Sequence, residues 1–220
     1  MTGSAAEAER LHGDPVALTV DRLERAADQA ARSLLGAVLV RELDGVRVVA
    51  RIVEAEGYRQ DDPASHSYRG NSARVAAMFA RAGTAYVYRS YGVHWMLNVS
   101  AEAAGTGAAV LLRGASVLAG AEPVRARRPT ARDDHGLLRG PGCLAAGLGI
   151  TREEDGMDLL DPAGGLWLGT DGWEPGSEAI VRGPRVGVSL AADRPWRFHL
   201  AGIAGVSRYR RSPRADVDQR

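Results

Sequence analysis

The sequence predicts an α+β fold, a single domain with a curved antiparallel β-sheet and surrounding helices. Three observations predict it. β-rich runs recur over residues 37–55, 86–99 and 109–113. The pair Asp44-Gly45 divides the first of them as a tight hairpin turn does. Helical spacing is confined to stretches that flank these runs. At 220 residues, with 45% hydrophobic and 25% charged residues, the chain suits one domain with its own core.

Residues 1–14 carry no periodic pattern and are expected to be a disordered N-terminus. From Pro15, the residues Val16, Val20, Leu23, Ala27, Ala30 and Leu34 recur at spacings of three and four, which predicts one amphipathic helix. Asp14 would cap it and Gly36 would stop it. The hairpin 37–43 and 46–55 follows. Residues 57–72 are polar and carry Gly and Pro, so they form a loop. A short helix is expected over 73–81, then strands over 86–89, 95–99 and 109–113. Helical stretches are expected over 119–127 and 142–148, with an exposed loop between them. Residues 151–178 are acidic and rich in Gly and Pro, consistent with surface excursions. Closing strands are expected at 186–188 and 196–200. The domain runs over 15–207, and 208–220 form a basic C-terminal tail.

Composition excludes several chemistries. The lone Cys143 excludes a disulfide framework and a multi-cysteine metal site. No apolar run is long enough to span a membrane. The opening MTGSAAEAER lacks the apolar core of a signal peptide, so a cytoplasmic protein is expected. Net charge is +1, yet residues 181–220 carry nine Arg against three Asp, which leaves −5 on the rest. A basic end of this kind follows a polyanion or simply solubilises the chain. All 28 basic residues are Arg. Chemistry through a lysine amine is therefore excluded, and the α-amino terminus is the one primary amine.

The second hairpin strand carries the strongest chemical signal. Val46, Val48, Ala50, Ile52, Glu54 and Glu56 share one face, apolar for four positions and then acidic for two. Carboxylates seldom sit on a buried face unless paired or functional. The competing reading is a strand that emerges into solvent at Glu54. Glu54 is expected to pair with an Arg, Arg51 or Arg113. Five of the six Tyr lie between residues 58 and 91. Aromatic rings with polar tips beside a carboxylate suit a flat heterocycle held by stacking. Tyr86 is expected to be a core residue. Tyr91 precedes Gly92 between two strands, where an exposed ring can act as a wedge. His94 and Trp95 are assigned to the sheet. Sequence signatures of a phosphate loop, a zinc deaminase and a nucleophile elbow are missing.

The runs RIVEAEGY (51–58), AMFARAGTAYVYRSYGVHWMLNVS (77–100) and AAVLLRG (108–114), with His66 between the first two, resemble the alkyladenine (3-methyladenine) DNA glycosylase family. RGPGCLAAGLGI (139–150), PRVGVS (184–189) and RPWRFHLAG (194–202) continue the match in order. The resemblance covers roughly residues 15–210 and implies a glycosylase that removes alkylated purines from double-stranded DNA in base excision repair. Glu56 matches the general base, and Arg113 the Arg that helps hold the attacking water. Tyr58, His66 and Tyr88 match the residues that sandwich the extruded base. Asn98 matches the Asn that disfavours the exocyclic amine of guanine. Tyr91 matches the residue that intercalates into the duplex. Arg74 and the backbone at Gly142 are expected to contact DNA phosphate.

No metal and no organic cofactor are expected. With one wedge, a monomer is expected, with no membrane contact and nucleoid association through DNA. With water as nucleophile and no lysine, the expectation is base excision without strand scission. Two alternatives stay open: a noncatalytic damaged-DNA-binding module of the same fold, and a glycosylase specialised for bulky adducts. The chain departs from the family pattern at Ser72, where Thr is usual, and at Gly57, where Ala is usual. It also has Val93 where Met is common, and Cys143 where relatives often carry Lys.

Overall fold

The computed structural model describes residues 5–215. Its nine strands form one antiparallel sheet: β1 (Val16–Ala17), β2 (Val38–Leu43), β3 (Val46–Tyr58), β4 (Ala85–Ser90), β5 (His94–Ser100), β6 (Ala109–Ala119), β7 (Leu166–Thr170), β8 (Ile180–Gly183) and β9 (Arg197–Leu200). The order is β1-β7-β2-β3-β6-β5-β4. Four helices surround it: α1 (Ala5–Ala8), α2 (Ala27–Ser33), α3 (Ala121–Arg127) and α4 (Pro141–Gly147). The predicted α+β class holds, with the sheet curled into a half-barrel. The main core lies between the sheet and helices α2, α3 and α4, where Leu34, Ala30, Ile52, Val110, Leu112 and Leu144 are buried.

The hairpin forms as expected. Leu43 faces Val46 across a two-residue turn, and Asp44 and Gly45 take φ of 52° and 76°. Positive φ at both central residues matches the right-handed twist of the strands. The sheet bends where β3 changes partner. Its first half pairs with β2, from Val46 to Arg51, and its last part pairs with β9, from Glu54 to Glu56. Strand β6 runs along the other edge, with register shifts around Glu54. Such bulges increase local twist and re-aim side chains. Both carboxylates thus lie on an interior strand with neighbours on each side, and Glu54 and Glu56 are 0% exposed. The solvent-emergent reading of that strand is excluded.

Four expectations are corrected. The first helix does not run from Pro15. Val16 and Ala17 pair with β7, a 3-10 turn follows at Val20–Arg22, and only α2 is α-helical. Leu23, Ala27, Ala30 and Leu34 still face inward, because a strand, a turn and a helix aimed at one core reproduce the same spacing. Gly36 at φ 90° ends this segment, as expected of a stop. The N-terminus is not loose from Ala8 to His12. Arg51 donates to the carbonyls of Ala8 and Arg10 and pairs with Asp171, whose carboxylate also accepts the His12 N–H. Residues 1–4 lie outside the described part. Finally, the acidic stretch 151–178 contains β7, a buried strand, and 186–188 is loop, whereas 180–183 is β8.

Candidate active site

Strands β3, β4, β5 and β6 place their side chains around a cavity of about 430 Å³, closed on one flank by the segment 186–188 and Pro141. Its walls include Tyr58, His66, Tyr88, Asn98 and Arg113, five residues that the sequence singled out, with Arg74 and Tyr91 also on its lining. The size sits toward the lower end for small-molecule sites.

Glu56 does not form the cavity surface itself. It sits immediately behind Tyr58, Arg113 and Val186, which do. Its Oε1 accepts the Val186 N–H at 2.7 Å and lies 3.3 Å from Arg113 Nε. Its Oε2 accepts the Tyr58 hydroxyl at 2.9 Å and Arg113 Nη1 at 3.3 Å. Each carboxylate oxygen therefore has two partners. Burial, together with the neighbouring Glu56 charge, raises the Tyr58 phenol well above its ordinary value, so the proton in that bond stays on Tyr58.

Arg113 is fixed from behind by Glu54. Glu54 accepts from Arg113 Nε at 3.0 Å, Arg197 Nε at 2.7 Å, and the Ser207 N–H and hydroxyl at 2.7 and 2.9 Å. Burial pushes the Glu54 carboxyl up, but Arg113 and Arg197 more than offset it and hold it below the ordinary carboxylate value. Of the two Arg partners foreseen for Glu54, Arg113 is present. Arg51 is not, being committed to Asp171.

The aromatic wall is built from β4 and the loop before it. His66 Nδ1 and the Tyr86 hydroxyl are 2.9 Å apart. The His66 ring meets the edge of Tyr88 at a centroid distance of 4.6 Å. Desolvation, with Arg74 nearby, lowers the His66 pKa, so its imidazole is neutral at pH 7. Burial pushes the Tyr86 phenol up to about 12. Asn98 donates from its amide to the Tyr86 carbonyl at 3.0 Å. At the β4–β5 turn, Tyr91 is 98% exposed with φ 49°, next to Gly92 at φ 69°. A bulky residue in the left-handed region is uncommon and strained.

The family model for methylpurine-DNA glycosylase matches residues 21–204. The chain belongs to the methylpurine-DNA glycosylase family. A protein of Nocardia farcinica is 48% identical over 204 residues, covering 90% of this chain and 94% of its own. One of Rhodococcus jostii is 47% identical over 208 residues, covering 90% and 88%. One of Mycolicibacterium paratuberculosis is 47% identical over 212 residues, covering 94% and 95%. All three are named "Putative 3-methyladenine DNA glycosylase".

In this family member, two parts of the site escaped the sequence reading. Tyr86 is buried as expected, but it also lines the cavity and anchors His66. Its spacing of two from Tyr88 on a strand was the available signal, since it puts both rings on one face. Behind Tyr58, Arg185 stacks at 4.6 Å from the Tyr58 ring and 5.4 Å from that of Trp196, and pairs with the fully buried Asp62. No local pattern announces a pair separated by 123 residues. Gly142, expected to offer a backbone phosphate contact, packs against His94, where a methyl group would lie 3.1 Å from Cβ. Cys143 is half-buried and accepts from Arg128 at 3.0 Å. Among the described residues no group of three potential metal ligands occurs, and no helix is long and apolar enough to cross a membrane.

Proposed function

We propose that the protein is a monofunctional DNA glycosylase that flips alkylated purines of the 3-methyladenine class out of duplex DNA and excises them. The observation that carries this reading is a buried carboxylate, Glu56, directly behind a ring-lined cavity of single-base size. A base inside a duplex is out of reach, so it is rotated out at a cost of a few kcal/mol, least for a damaged base. Tyr91, exposed at the β4–β5 turn, enters the gap and stacks on the neighbouring bases. The flipped purine lies against Tyr58, His66 and Tyr88, with Asn98 at its edge. An N-alkylated purine is cationic and is attracted to electron-rich ring faces by about 0.5–2 kcal/mol. A neutral His66 adds no repulsion.

The chemistry then needs one base and one water. Glu56 takes a proton from the water as its oxygen bonds to the anomeric carbon. The glycosidic C–N bond breaks, and its electron pair leaves with the purine, neutralising the cation. Arg113 steadies the water and Glu56, and the carboxylate stabilises the oxocarbenium-like transition state. The Tyr58 hydroxyl occupies Glu56 Oε2 in the resting site, so the water takes that place as Tyr58 engages the base. Strand scission through an enzyme amine has no lysine to proceed from. The protein works on DNA in the cytoplasm, at the nucleoid, as a monomer.

The test is incubation of methylated duplex DNA with the protein. Release of free alkylated purine, with abasic sites that break only in alkali, is the expected result. Binding without release supports a damaged-DNA-binding module instead. Release confined to bulky adducts supports the specialised glycosylase.

A further inference from the structure

The basic end of the chain has a defined course. Ser207 is rooted in the buried cluster that holds Arg113: its N–H and hydroxyl donate to Glu54, its hydroxyl lies 3.3 Å from Arg113 Nη2, and its carbonyl accepts from Arg197 at 2.9 Å. Three residues on, the Arg210 carbonyl accepts the Gly187 N–H at 2.9 Å, and Gly187 lines the cavity. Arg211 pairs with Asp193 at 2.8 Å, and Ala215 is fully buried. The chain over 207–211 is thus strapped across the cavity rim at several points, without helical or sheet structure of its own.

Arg208 and Arg210 are exposed on this strap, and among the described residues neither guanidinium has a hydrogen bond or ion pair. Charge arithmetic makes them significant. Residues 181–220 carry a net +6 on a chain whose remainder is −5. Arg74 and Arg89 line the other side of the cavity. A polyanion that approaches the mouth therefore meets cations on both flanks.

We propose that residues 207–211 form a DNA-backbone clamp on the cavity rim, in which Arg208 and Arg210 each hold a phosphate beside the flipped nucleotide. The proposal rests on the glycosylase reading for the identity of the nucleic acid. Residues two apart on a non-helical chain span about 6.6 Å, comparable to the step between successive phosphates of one strand. Neither residue reads sequence, because phosphate contacts position the protein and carry no base information.

Duplex affinity is measured by fluorescence anisotropy across a salt series, with the full chain. In wild type, log K falls with log salt. Each phosphate contact contributes a slope of about 0.9, so Arg208→Gln/Arg210→Gln makes the line shallower by about 1.8. A charge-matched control, Arg25→Gln/Arg32→Gln, lies in a separate hollow with Arg22 and Glu174 that shares no residue with the cavity. It is expected to keep the wild-type slope. A wild-type slope in the Arg208/Arg210 variant, or an equal change in the control, overturns the clamp. A wild-type protein that binds duplex with this slope difference but releases no base removes the glycosylase reading and leaves the clamp standing.

Discussion

Replacing Glu54 by Gln keeps the shape of the side chain and removes its charge from between two guanidiniums. Glu54 is fully buried, and Arg113 and Arg197 are 7% and 5% exposed. Four donors point at the two oxygens. Gln offers one oxygen and turns an NH2 toward the rest, so donors face a donor, Arg113 keeps only Glu56 and Arg197 loses its carboxylate. Removing one partner of a buried ion pair costs about 3–5 kcal/mol. That is a large fraction of a domain stability of about 5–15 kcal/mol. With a urea slope of about 2 kcal/mol/M, the unfolding midpoint should fall by about 2 M. The effect carries a pH signature. The Glu54 carboxyl is held below its ordinary value of 4.5 in the folded state, so its stabilisation is complete above pH 4.5 and is lost as pH falls through the lower folded value. Urea melts of both proteins from pH 7 down to pH 3 should show the gap closing in the acid range. A gap under about 1 kcal/mol at pH 7, or one that does not change with pH, would refute the account of the cluster.

Three further outcomes follow from the geometry. Tyr91→Ala removes a ring that is 98% exposed, so stability should shift by less than about 0.5 kcal/mol. Excision from duplex should drop by roughly 5–150-fold, the equivalent of about 1–3 kcal/mol of lost stacking; a larger loss of melting temperature than of activity argues against the wedge. Gly57→Ala introduces a methyl group 2.7 Å from the Ala27 carbonyl oxygen and the Asp28 nitrogen, both backbone of α2. A destabilisation of at least about 1–3 kcal/mol is expected in calorimetry, and an unchanged melting temperature would show that α2 is free to retreat. For His66, the depressed pKa places protonation below pH 6.5. Binding of a cationic alkylated purine should weaken as pH falls through that lower value, and His66→Gln should flatten the profile; a profile identical to wild type contradicts the neutral-imidazole account.

Much of the site was legible because its signals are local. A period-two pattern that turns acidic at Glu54 and Glu56, with a Tyr two residues later, is readable on one strand, and the Asp44-Gly45 turn fixed the register that aims it. Tyr91-Gly92 was readable for the same reason. What was not legible depends on contacts between distant segments. The pairing of Val16–Ala17 with β7 broke the apparent first helix, and β7 was hidden in an acidic stretch because its burial comes from neighbours on both sides. Arg51, one of two equal candidates for Glu54, turned instead to Asp171, 120 residues away. Gly57 read only as a departure from the usual Ala; in the fold it is where α2 passes against β3. Saturation of Glu56 by Val186, Tyr58 and Arg113 required the strand and a loop 130 residues away to meet.

The most direct measurement is single-turnover excision from a duplex with one alkylated purine, by wild type and by Glu56→Gln, alongside their affinity for the same duplex. The amide retains the bulk of the side chain and removes its basicity. The account predicts base release by wild type, loss of release in the variant by at least two orders of magnitude, and duplex affinity within a few-fold of wild type. Release by Glu56→Gln at a rate near that of wild type would contradict it.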